Sequence, residues 1–499
     1  MLKRIIEMTA DFLESMSKTK RKKKGQFFTS KETAEFMAKM FDYTILGPEV
    51  NVLDPGAGTG ILTAAFVDKA SRYQNIQSIN ITCYENDSEV LPVLHNALNY
   101  IVENSNIIVT YIIIKEDYLL SQANDFEGKL LANNNTKKYD AIIGNPPYLR
   151  IMRDSAQAQA MPTVVHGAPN LYFLFASMSL FNLKDNKELV YIIPRSWTSG
   201  EYFKAFREYF LCNGRLSQIH LFVSRDKVFS QEQVLQETII LKLKKTIITP
   251  PTVRITSSQT NYDFENITSI DVPYSSVVTG KRLYVFLPTN NDEITTIQQI
   301  NRYSETLPEV GYRMRTGIVV DFRQKEELRT EAGDGVIPLF YAQHIKNGRV
   351  NHDESGKDFD WIIDEKKGLI QPNENYVFCK RFTAKEERRR LQCGIYLSQD
   401  FPEYKTIGTQ NKINFVNRVD KTPMNIAETY GIYALLNTTL FDQFYRILNG
   451  STQVNSTEIN NIPVPPKEKI IEIGNRLLRE NSLDTDICDD IVKEVAYNE

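Results

Sequence analysis

The chain has 499 residues, of which 42% are hydrophobic and 24% are charged, and its formal net charge is -3. These values are ordinary for a globular protein of two or three domains, and no apolar run approaches the roughly 18 residues of a membrane helix. The N-terminal stretch contains Glu7, Asp11 and Glu14 and lacks an apolar core, so we do not expect a signal peptide. Five scattered cysteines without a CxxC pair argue against a zinc site or a disulfide framework, and favour a reducing cytoplasm.

The first half of the chain alternates short apolar strands with amphipathic stretches. A helix is predicted over residues 31–41. The predicted strands lie in VNVLDPGAGTG, INITCYEND, IIVTYIIIKEDYL, YDAIIGNPPY, ELVYIIPRSW and QETIILKLKK. This alternation predicts an α/β fold with a mostly parallel, doubly wound sheet over residues 1–245, in which ligands bind beyond the carboxyl ends of the strands.

The composition changes after Lys245. Residues 246–280 are rich in Thr, Ser, Pro and Asn, and this predicts a linker or a peripheral hairpin. From about Arg282 the sequence is mixed and aromatic, without clean periodicity. We therefore predict a second domain of mixed α+β structure over residues 281–499.

Positive charge is concentrated in two places although the whole chain is slightly acidic. These are KTKRKKK at residues 18–24 and CKRFTAKEERRR at residues 379–390. A nucleic-acid-binding protein needs such local clusters, while a solvated face or a tail explains them equally well. In the second stretch Phe382 stands among the charges, which suits a phosphate backbone better than plain solvent.

A glycine-rich turn follows the first strand, in LDPGAGTG. Gly56, Gly58 and Gly60 have GxGxG spacing, which differs from the dinucleotide-binding GxGxxG, and no P-loop lysine follows. The glycines alone are equally compatible with a plain turn between a strand and a helix. Asp54 just before them would repel a pyrophosphate, but it suits a cofactor that carries an ammonium and a sulfonium group.

Two more acidic residues follow later strands, Glu85 in CYEND and Asp117 in KEDYL. Glu85 stands where a carboxylate can accept hydrogen bonds from two ribose hydroxyls, and Asp117 where one can accept from an adenine amino group. Each acid alone is more typical of a solvated strand end. Three acids at three successive strand ends, beside a glycine turn, indicate a ligand site.

The order of these motifs resembles the gamma arrangement of the S-adenosylmethionine-dependent DNA methyltransferases that methylate amino groups. KKKGQFFTSKETAEFMAKM is similar to the first segment of that family, with Gly25, Phe27 or Phe28, and Thr29 retained. Ser30 stands where Pro is usual, and it can cap the following helix. The resemblance implies that Thr29 contacts the methionine part of the cofactor, Glu85 the ribose and Asp117 the adenine. The full set of implied cofactor contacts is Thr29, Asp54, Pro55, Gly56, Ala57, Gly58, Glu85, Asp117, Asn145 and Pro147.

The family's catalytic loop is Asn-Pro-Pro-Tyr, here Asn145, Pro146, Pro147 and Tyr148. The lone pair of adenine N6 is delocalised into the ring, so this nitrogen is a poor nucleophile. The Asn145 side-chain oxygen and the Pro146 carbonyl can each take one of its hydrogens, with the backbone restricted by both prolines. Tyr148 is predicted to stack on a flipped base at the mouth of the pocket, which contributes about 1–3 kcal/mol. Phe229 in KVFSQEQVLQETIIL is the candidate for a second stacking ring, and core packing explains it equally well.

The second half resembles the PstI/BsuBI-type modification methylases, in TGIVVDFRQ, VIPLFYAQHIKNGRV, NYVFCKRFTAKEERRR and YGIYALLNTTLFDQFYRILNGSTQVNSTEINNIPVP. The resemblance implies double-stranded DNA as substrate and a palindromic CTGCAG-like site. It also implies a bacterial cytoplasmic enzyme that joins the nucleoid when bound to DNA, and it allows a separate cognate restriction endonuclease as partner, which the sequence itself does not show. Arginines including Arg390 can reach guanines or phosphates, and Asn449 can pair with an adenine edge. The preferred DNA contacts are Lys24, Arg381, Lys385, Gln453 and Asn455, although a structural role for the GSTQVN turn is an equal alternative.

Other functions share the NPPY loop. Enzymes that methylate cytosine N4, an RNA guanine amino group or a protein glutamine present a similar nitrogen to the same kind of loop, and a catalytically silent DNA-specificity subunit is a non-enzymatic alternative. Cofactor motifs near the N-terminus followed by a large second domain favour DNA. The predicted function is a DNA adenine-N6 methyltransferase that uses S-adenosylmethionine and needs no metal.

Overall fold

The computed structural model describes residues 1–15, 28–128, 137–222, 237–353, 355–364, 368–384, 386–449, 452–480 and 482–498. Lys24, Phe229 and Lys385, three of the predicted site residues, lie outside these ranges, so their roles stay predictions. The chain forms two compact units, Met1–Thr289 and Asn290–Glu499. Within the described ranges, no helix is both long and apolar enough to cross a membrane.

The first unit contains eleven described strands and nine described helices. The strands are β1 (Glu49–Pro55), β2 (Ser78–Tyr84), β3 (Ile108–Ile114), β4 (Tyr139–Gly144), β5 (Leu183–Pro194), β6 (Arg215–Phe222), β7 (Thr238–Lys244), β8 (Thr252–Ser258), β9 (Thr268–Pro273), β10 (Val278–Thr279) and β11 (Tyr284–Val285). The helices are α1 (Leu2–Ser15), α2 (Lys31–Lys39), α3 (Ile61–Ala70), α4 (Leu91–Asn104), α5 (Ala123–Phe126), α6 (Ala156–Gln159), α7 (Leu171–Asn182), α8 (Lys204–Asn213) and α9 (Tyr274–Val277).

Nine of these strands form one sheet in the order β3-β2-β1-β4-β5-β7-β6-β8-β9. Strands β1 to β5 are parallel to one another, and β7 runs antiparallel to both of its neighbours. The predicted α/β fold with a mostly parallel sheet is therefore confirmed. The direction of winding reverses between β1 and β4, and a crevice at such a reversal is where doubly wound sheets bind ligands.

Apolar burial explains why these segments form the centre of the sheet. All six residues of β4 are buried, as are the last four of β1 and of β2. Near-continuous burial is typical of parallel strands that are covered on both faces. Helix α2 begins after Ser30, whose hydroxyl accepts a hydrogen bond from the backbone N–H of Thr33 at 3.3 Å, so the predicted cap is present.

Sequence analysis does not predict strand β6. Its His220 is completely buried, and the two ring nitrogens lie 2.9 Å from the hydroxyl of Thr256 and 3.0 Å from that of Ser258, both on β8. Burial lowers the pKa of His220 to about 3, so the ring is neutral. Because a polar residue occupies a buried position, the apolar pattern is interrupted, and the sequence pattern alone does not indicate this strand. Strands β8 and β9, from the segment predicted to be a linker or a hairpin, pair antiparallel at the edge of the sheet.

The second unit contains two described sheets of six and five strands, in the orders β12-β22-β19-β20-β16-β15 and β13-β17-β14-β21-β18. The strands are β12 (Tyr312–Thr316), β13 (Leu328–Arg329), β14 (Val336–Phe340), β15 (Ile345–Lys346), β16 (Arg349–Val350), β17 (Trp361–Ile363), β18 (Ile370–Pro372), β19 (Tyr376–Lys380), β20 (Cys393–Tyr396), β21 (Thr406–Thr409) and β22 (Ile413–Arg418). The helices are α10 (Asn291–Ile300), α11 (Ile426–Leu436), α12 (Thr439–Leu448), α13 (Ser456–Ile459), α14 (Lys467–Leu477) and α15 (Thr485–Val492).

Candidate functional site

A cavity of about 600 Å³ lies at the carboxyl ends of β1 to β4. This volume is within the range of roughly 300–1,000 Å³ that small-molecule pockets occupy. Eight of the ten residues that the resemblance assigned to the cofactor line it. They are Thr29, Gly56, Ala57, Gly58, Glu85, Asp117, Asn145 and Pro147. The fold therefore gathers residues that are up to 118 positions apart in the chain, from Thr29 to Pro147.

The glycine turn forms the floor of the cavity with its amides already engaged. The N–H groups of Gly56 and Ala57 both donate to the Tyr84 carbonyl at 2.9 Å, and that of Gly58 donates to a Glu85 carboxylate oxygen at 3.0 Å. Gly56 has φ +73° and Gly58 has φ +55°, a region that side chains disfavour. Because these amides bind the protein itself, the turn is not a cradle for phosphate groups.

Glu85 joins the turn to the next loop. One carboxylate oxygen accepts from Gly58, and the other accepts from the backbone N–H of Asp87 at 2.8 Å. Burial is the largest influence on this carboxyl and raises its pKa, while the hydrogen bonds from the backbone oppose that shift. Each carboxylate oxygen has a further acceptor position, so Glu85 can also bind hydroxyl groups of a ligand.

Asp117 is held in the same way at the end of β3. One oxygen accepts from the backbone N–H groups of Leu119 and Leu120, at 2.9 and 3.0 Å. The other accepts from the side-chain amide of Gln157, at 2.9 Å. Gln157 lies on α6, after the NPPY segment, and sequence analysis assigns it no role. An amide NH₂ group thus binds the carboxylate that was predicted to bind an adenine amino group.

Asn145, the first residue of the NPPY loop, is hydrogen-bonded to Thr29. The side-chain nitrogen of Asn145 donates to the Thr29 hydroxyl at 3.1 Å, which ties the loop after β4 to the segment before α2. Asn145 is one of the residues that line the cavity. Its side-chain oxygen has two lone pairs and is buried within the protein.

Asp54 does not line the cavity, contrary to its predicted position. Its side chain is 1% exposed beneath the glycine turn, where one carboxylate oxygen accepts from the Thr63 hydroxyl at 2.7 Å. Its other oxygen has no hydrogen-bond partner in the described part of the chain. Burial raises the pKa of Asp54 to about 7, and Pro55 beside it is likewise absent from the cavity lining.

Tyr148 is buried rather than placed at the mouth of the cavity. Its ring is 8% exposed and lies edge-on to Tyr172 at a centroid distance of 6.3 Å. Its hydroxyl donates to the carbonyl of Ile192 on β5, at 3.0 Å. Pro146 is also buried. These contacts anchor the loop to the sheet, and the stacking role of Tyr148 stays a prediction.

In the second unit, the structure brings two predicted DNA contacts together. With the amide of Gln453 turned so that its oxygen faces the guanidinium of Arg381, that oxygen accepts from Nη2 and, at 2.8 Å, from Nε. Arg381 also donates from Nη1 to the Asn411 carbonyl at 2.9 Å. Asn455, by contrast, is held through its backbone N–H, which donates to the Tyr445 hydroxyl at 3.0 Å.

Two other residues considered for base or phosphate contact are interior. Arg390 is completely buried, with its Nε donating to the Thr383 hydroxyl at 3.1 Å. Asn449 is 1% exposed and donates to the Tyr445 hydroxyl at 2.9 Å. Both side chains therefore stabilise the unit from within and do not lie on its surface.

The chain is 34% identical over 474 residues to the type II methyltransferase M.PstI of Providencia stuartii, and the aligned region covers 93% of this chain and 91% of that protein. It is 35% identical over 458 residues to the type II methyltransferase M.BsuBI of Bacillus subtilis, which covers 90% and 89%. This chain belongs to the type II methyltransferases of restriction-modification systems. Residues 65–229 match the Eco57I restriction-modification methylase family. Among solved structures, the type ISP restriction-modification enzyme LlaGI is similar, with 11% identity, a TM-score of 0.49, and coverage of 91% of this chain and 54% of that chain.

Sequence analysis of this methyltransferase misses several apolar residues of the cavity. Phe28, Leu171 and Phe175 line it, and the sequence analysis assigns none of these three side chains to the cofactor. A Cβ atom on Gly56 would lie 3.5 Å from the ring of Phe175. The missed signal is positional: Phe175 lies one helical turn after Leu171 on α7, so both side chains point to the same face.

Proposed function

We propose that this methyltransferase transfers a methyl group from S-adenosylmethionine to the N6 amino group of an adenine in a short DNA site. The observation that carries the proposal is the Asn145–Thr29 hydrogen bond at the carboxyl edge of the sheet, in one cavity with Glu85 and Asp117. An amide that is fixed at its nitrogen presents its oxygen in one direction. Such an acceptor suits an amino group that must be oriented before it reacts.

The cavity fits the proposed cofactor by charge as well as by volume. Four acidic residues line it, Glu85, Asp87, Glu116 and Asp117, and no Lys, Arg or His is among its described lining residues. A phosphate-bearing cofactor would be repelled there, and the amides of the glycine turn are engaged elsewhere. S-adenosylmethionine carries a sulfonium and an ammonium group, and when bound it would supply the methyl group on that positively charged sulfur.

Residues of this chain would bind the ribose and the adenine of the cofactor, which carry no charge. Glu85 would accept from ribose hydroxyls and Asp117 from the adenine amino group, with Phe28 and Phe175 against apolar surface. Gln157 already donates to Asp117 at 2.9 Å, so the adenine amino group would compete with it for that oxygen. Thr29 links this half of the cavity to Asn145.

Asn145 and Pro146 would act on the substrate. Their two oxygens would accept the two hydrogens of the adenine amino group, which would draw the nitrogen toward a tetrahedral form and expose its lone pair to the methyl donor. The loop is held rigidly for this task, because the Tyr148 hydroxyl is bonded to the sheet through Ile192. A preorganised acceptor pair stabilises the transition state without reorganisation or a covalent intermediate. The adenine would have to leave the duplex to reach this depth.

Expression of the chain in a bacterial host without DNA methylation tests the proposal. Long-read sequencing of the genomic DNA is expected to find N6-methyladenine within one short motif. Asn145→Ala is expected to abolish the modification while the purified variant still binds S-adenosylhomocysteine. Asn104→Ala, at the exposed end of α4, serves as the control and should leave modification unchanged. Modified cytosine, or no modified base with a folded, cofactor-binding protein, would overturn the adenine assignment.

A further inference from the structure

We propose that Arg381 reads one guanine of the recognition site through the major groove and that Gln453 is the residue that positions it. This inference rests on the proposed function and adds to it an element of sequence recognition. It differs from the prediction that Gln453 itself contacts DNA.

A guanidinium has five N–H donors in a fixed, planar fork. Three of those on Arg381 bind described residues: Nε and one Nη2 donor hold the side-chain oxygen of Gln453, and one Nη1 donor holds the Asn411 carbonyl. Among the described residues, one donor of Nη1 and one of Nη2 thus have no partner. Two donors on adjacent nitrogens match the O6 and N7 acceptors of guanine, which is the commonest specific contact between arginine and a base.

The turn that carries Gln453 is held from several sides. The Val454 N–H donates to the Arg381 carbonyl at 2.7 Å, and the Thr383 N–H donates to the Thr452 carbonyl at 3.1 Å. Asn414, completely buried, donates to the Val454 carbonyl at 2.8 Å. The segment after β19 and the turn that carries Gln453 each donate a backbone hydrogen bond to the other, and this fixes the position of Gln453 relative to Arg381.

A buried polar cluster supports the same turn from below. The Tyr445 hydroxyl lies 3.2 Å from the Gln453 carbonyl and 3.0 Å from a Glu458 carboxylate oxygen, so its one hydrogen is within reach of both acceptors, and it accepts from the Asn455 N–H. Asn449 donates to the Gln453 carbonyl as well, at 3.2 Å. Burying this many polar groups is costly unless all are paired, and the pairing confers rigidity on the segment they hold.

The surroundings of Arg381 suit a base contact more than a purely internal one. Phe382 is 51% exposed, although it is a large apolar side chain, and the Arg381 guanidinium lies 5.6 Å from its ring centroid. An aromatic ring beside the guanidinium excludes water from one side, which strengthens hydrogen bonds on the other. Arg390, in the same basic stretch, is by comparison enclosed completely.

The test uses the full-length enzyme and duplexes that contain its mapped site. Each guanine in turn is replaced by 7-deazaguanine, which lacks the N7 acceptor, and kcat/KM for methylation is measured. The wild type is expected to lose roughly 10- to 100-fold at one guanine position, the factor expected when one hydrogen bond from a charged donor is lost. Arg381→Ala should be slow on the natural site and show no further loss at that position.

Further variants separate reading from a structural role. Gln453→Leu should reduce the discrimination at the same guanine, while Gln453→Glu, which keeps an acceptor for Arg381, should restore it. Arg388→Ala, an exposed arginine of the same stretch, is the matched control and should weaken binding to all duplexes alike. Equal 7-deazaguanine effects in the wild type and Arg381→Ala, or a uniform loss in Arg381→Ala with an unchanged position profile, would overturn the proposal. Failure of the proposed function would look different, because no N6-methyladenine would form on any duplex.

Discussion

The buried carboxyl of Asp54 makes the stability of the first unit depend on pH. This side chain is 1% exposed, accepts one hydrogen bond from Thr63, and has a pKa raised to about 7 by burial. In the unfolded chain the same group titrates near 3.8. A pKa that is higher in the folded state gives stability that is fully present below pH 3.8 and is lost as the pH rises through 7. The protein should therefore become less stable between pH 5.5 and pH 8.

The size of this effect follows from the two pKa values. The difference between 3.8 and about 7, at about 1.4 kcal/mol for each pKa unit, corresponds to a total of about 4 kcal/mol at alkaline pH. At pH 5.5 the folded state still holds the proton and the unfolded state has lost it, so about half of this penalty is already present. The remaining change between pH 5.5 and pH 8 is about 2 kcal/mol.

Asp54→Asn isolates this contribution because an amide has nearly the shape of a neutral carboxyl group and does not ionise. The unfolding free energy of the variant minus that of the wild type should be about 2 kcal/mol larger at pH 8 than at pH 5.5. Urea unfolding of the full-length proteins, followed by fluorescence at both pH values, measures this difference. Asp11→Asn, on the exposed face of α1, is the control and should show no such increase. A pH-independent difference between the variant and the wild type would refute a protonated Asp54 in the folded protein.

Three further predictions concern single side chains. Ser30→Ala removes the cap of α2 and should cost about 1 kcal/mol of unfolding free energy, whereas Ser30→Asp should retain it. Gln157→Ala frees one oxygen of Asp117 and should lower the dissociation constant for S-adenosylhomocysteine up to about tenfold by calorimetry; weaker binding would mean that Gln157 contacts the cofactor. Glu428→Ala removes a completely buried carboxylate that two cations approach, and should cost about 3–5 kcal/mol in urea unfolding. Glu472→Ala, which breaks an exposed ion pair, should cost less than about 1 kcal/mol, and equal costs for the two would contradict this reasoning.

Local patterns were sufficient for the strands that bear the cavity. Strand β4 is buried throughout and β1 and β2 are buried over their last four residues, whereas the edge strand β3 is apolar but mostly not buried. Each of the four strands is followed by a turn with Gly, Asn or an acid. Parallel strands place their carboxyl ends along one edge, so Gly56, Glu85, Asp117 and Asn145 were predicted to meet without any knowledge of long-range contacts. They do line one cavity.

Side-chain direction and partner choice depended on the tertiary structure. Asp54 turns under the glycine turn toward Thr63, and Tyr148 turns toward Ile192, because the neighbouring helix and strand offer those hydrogen bonds. Gln157 reaches Asp117 across 40 residues, and Gln453 lies against Arg381 through a bridge between distant segments. A periodic pattern reports which residues are apolar and which alternate, but it carries no information about pairs that only packing brings together. The sequence by itself thus determined strands β1 to β5 and β7, the order of their motifs and the residues at their carboxyl ends, while the tertiary structure decided which polar atoms face the cavity and which bind the protein.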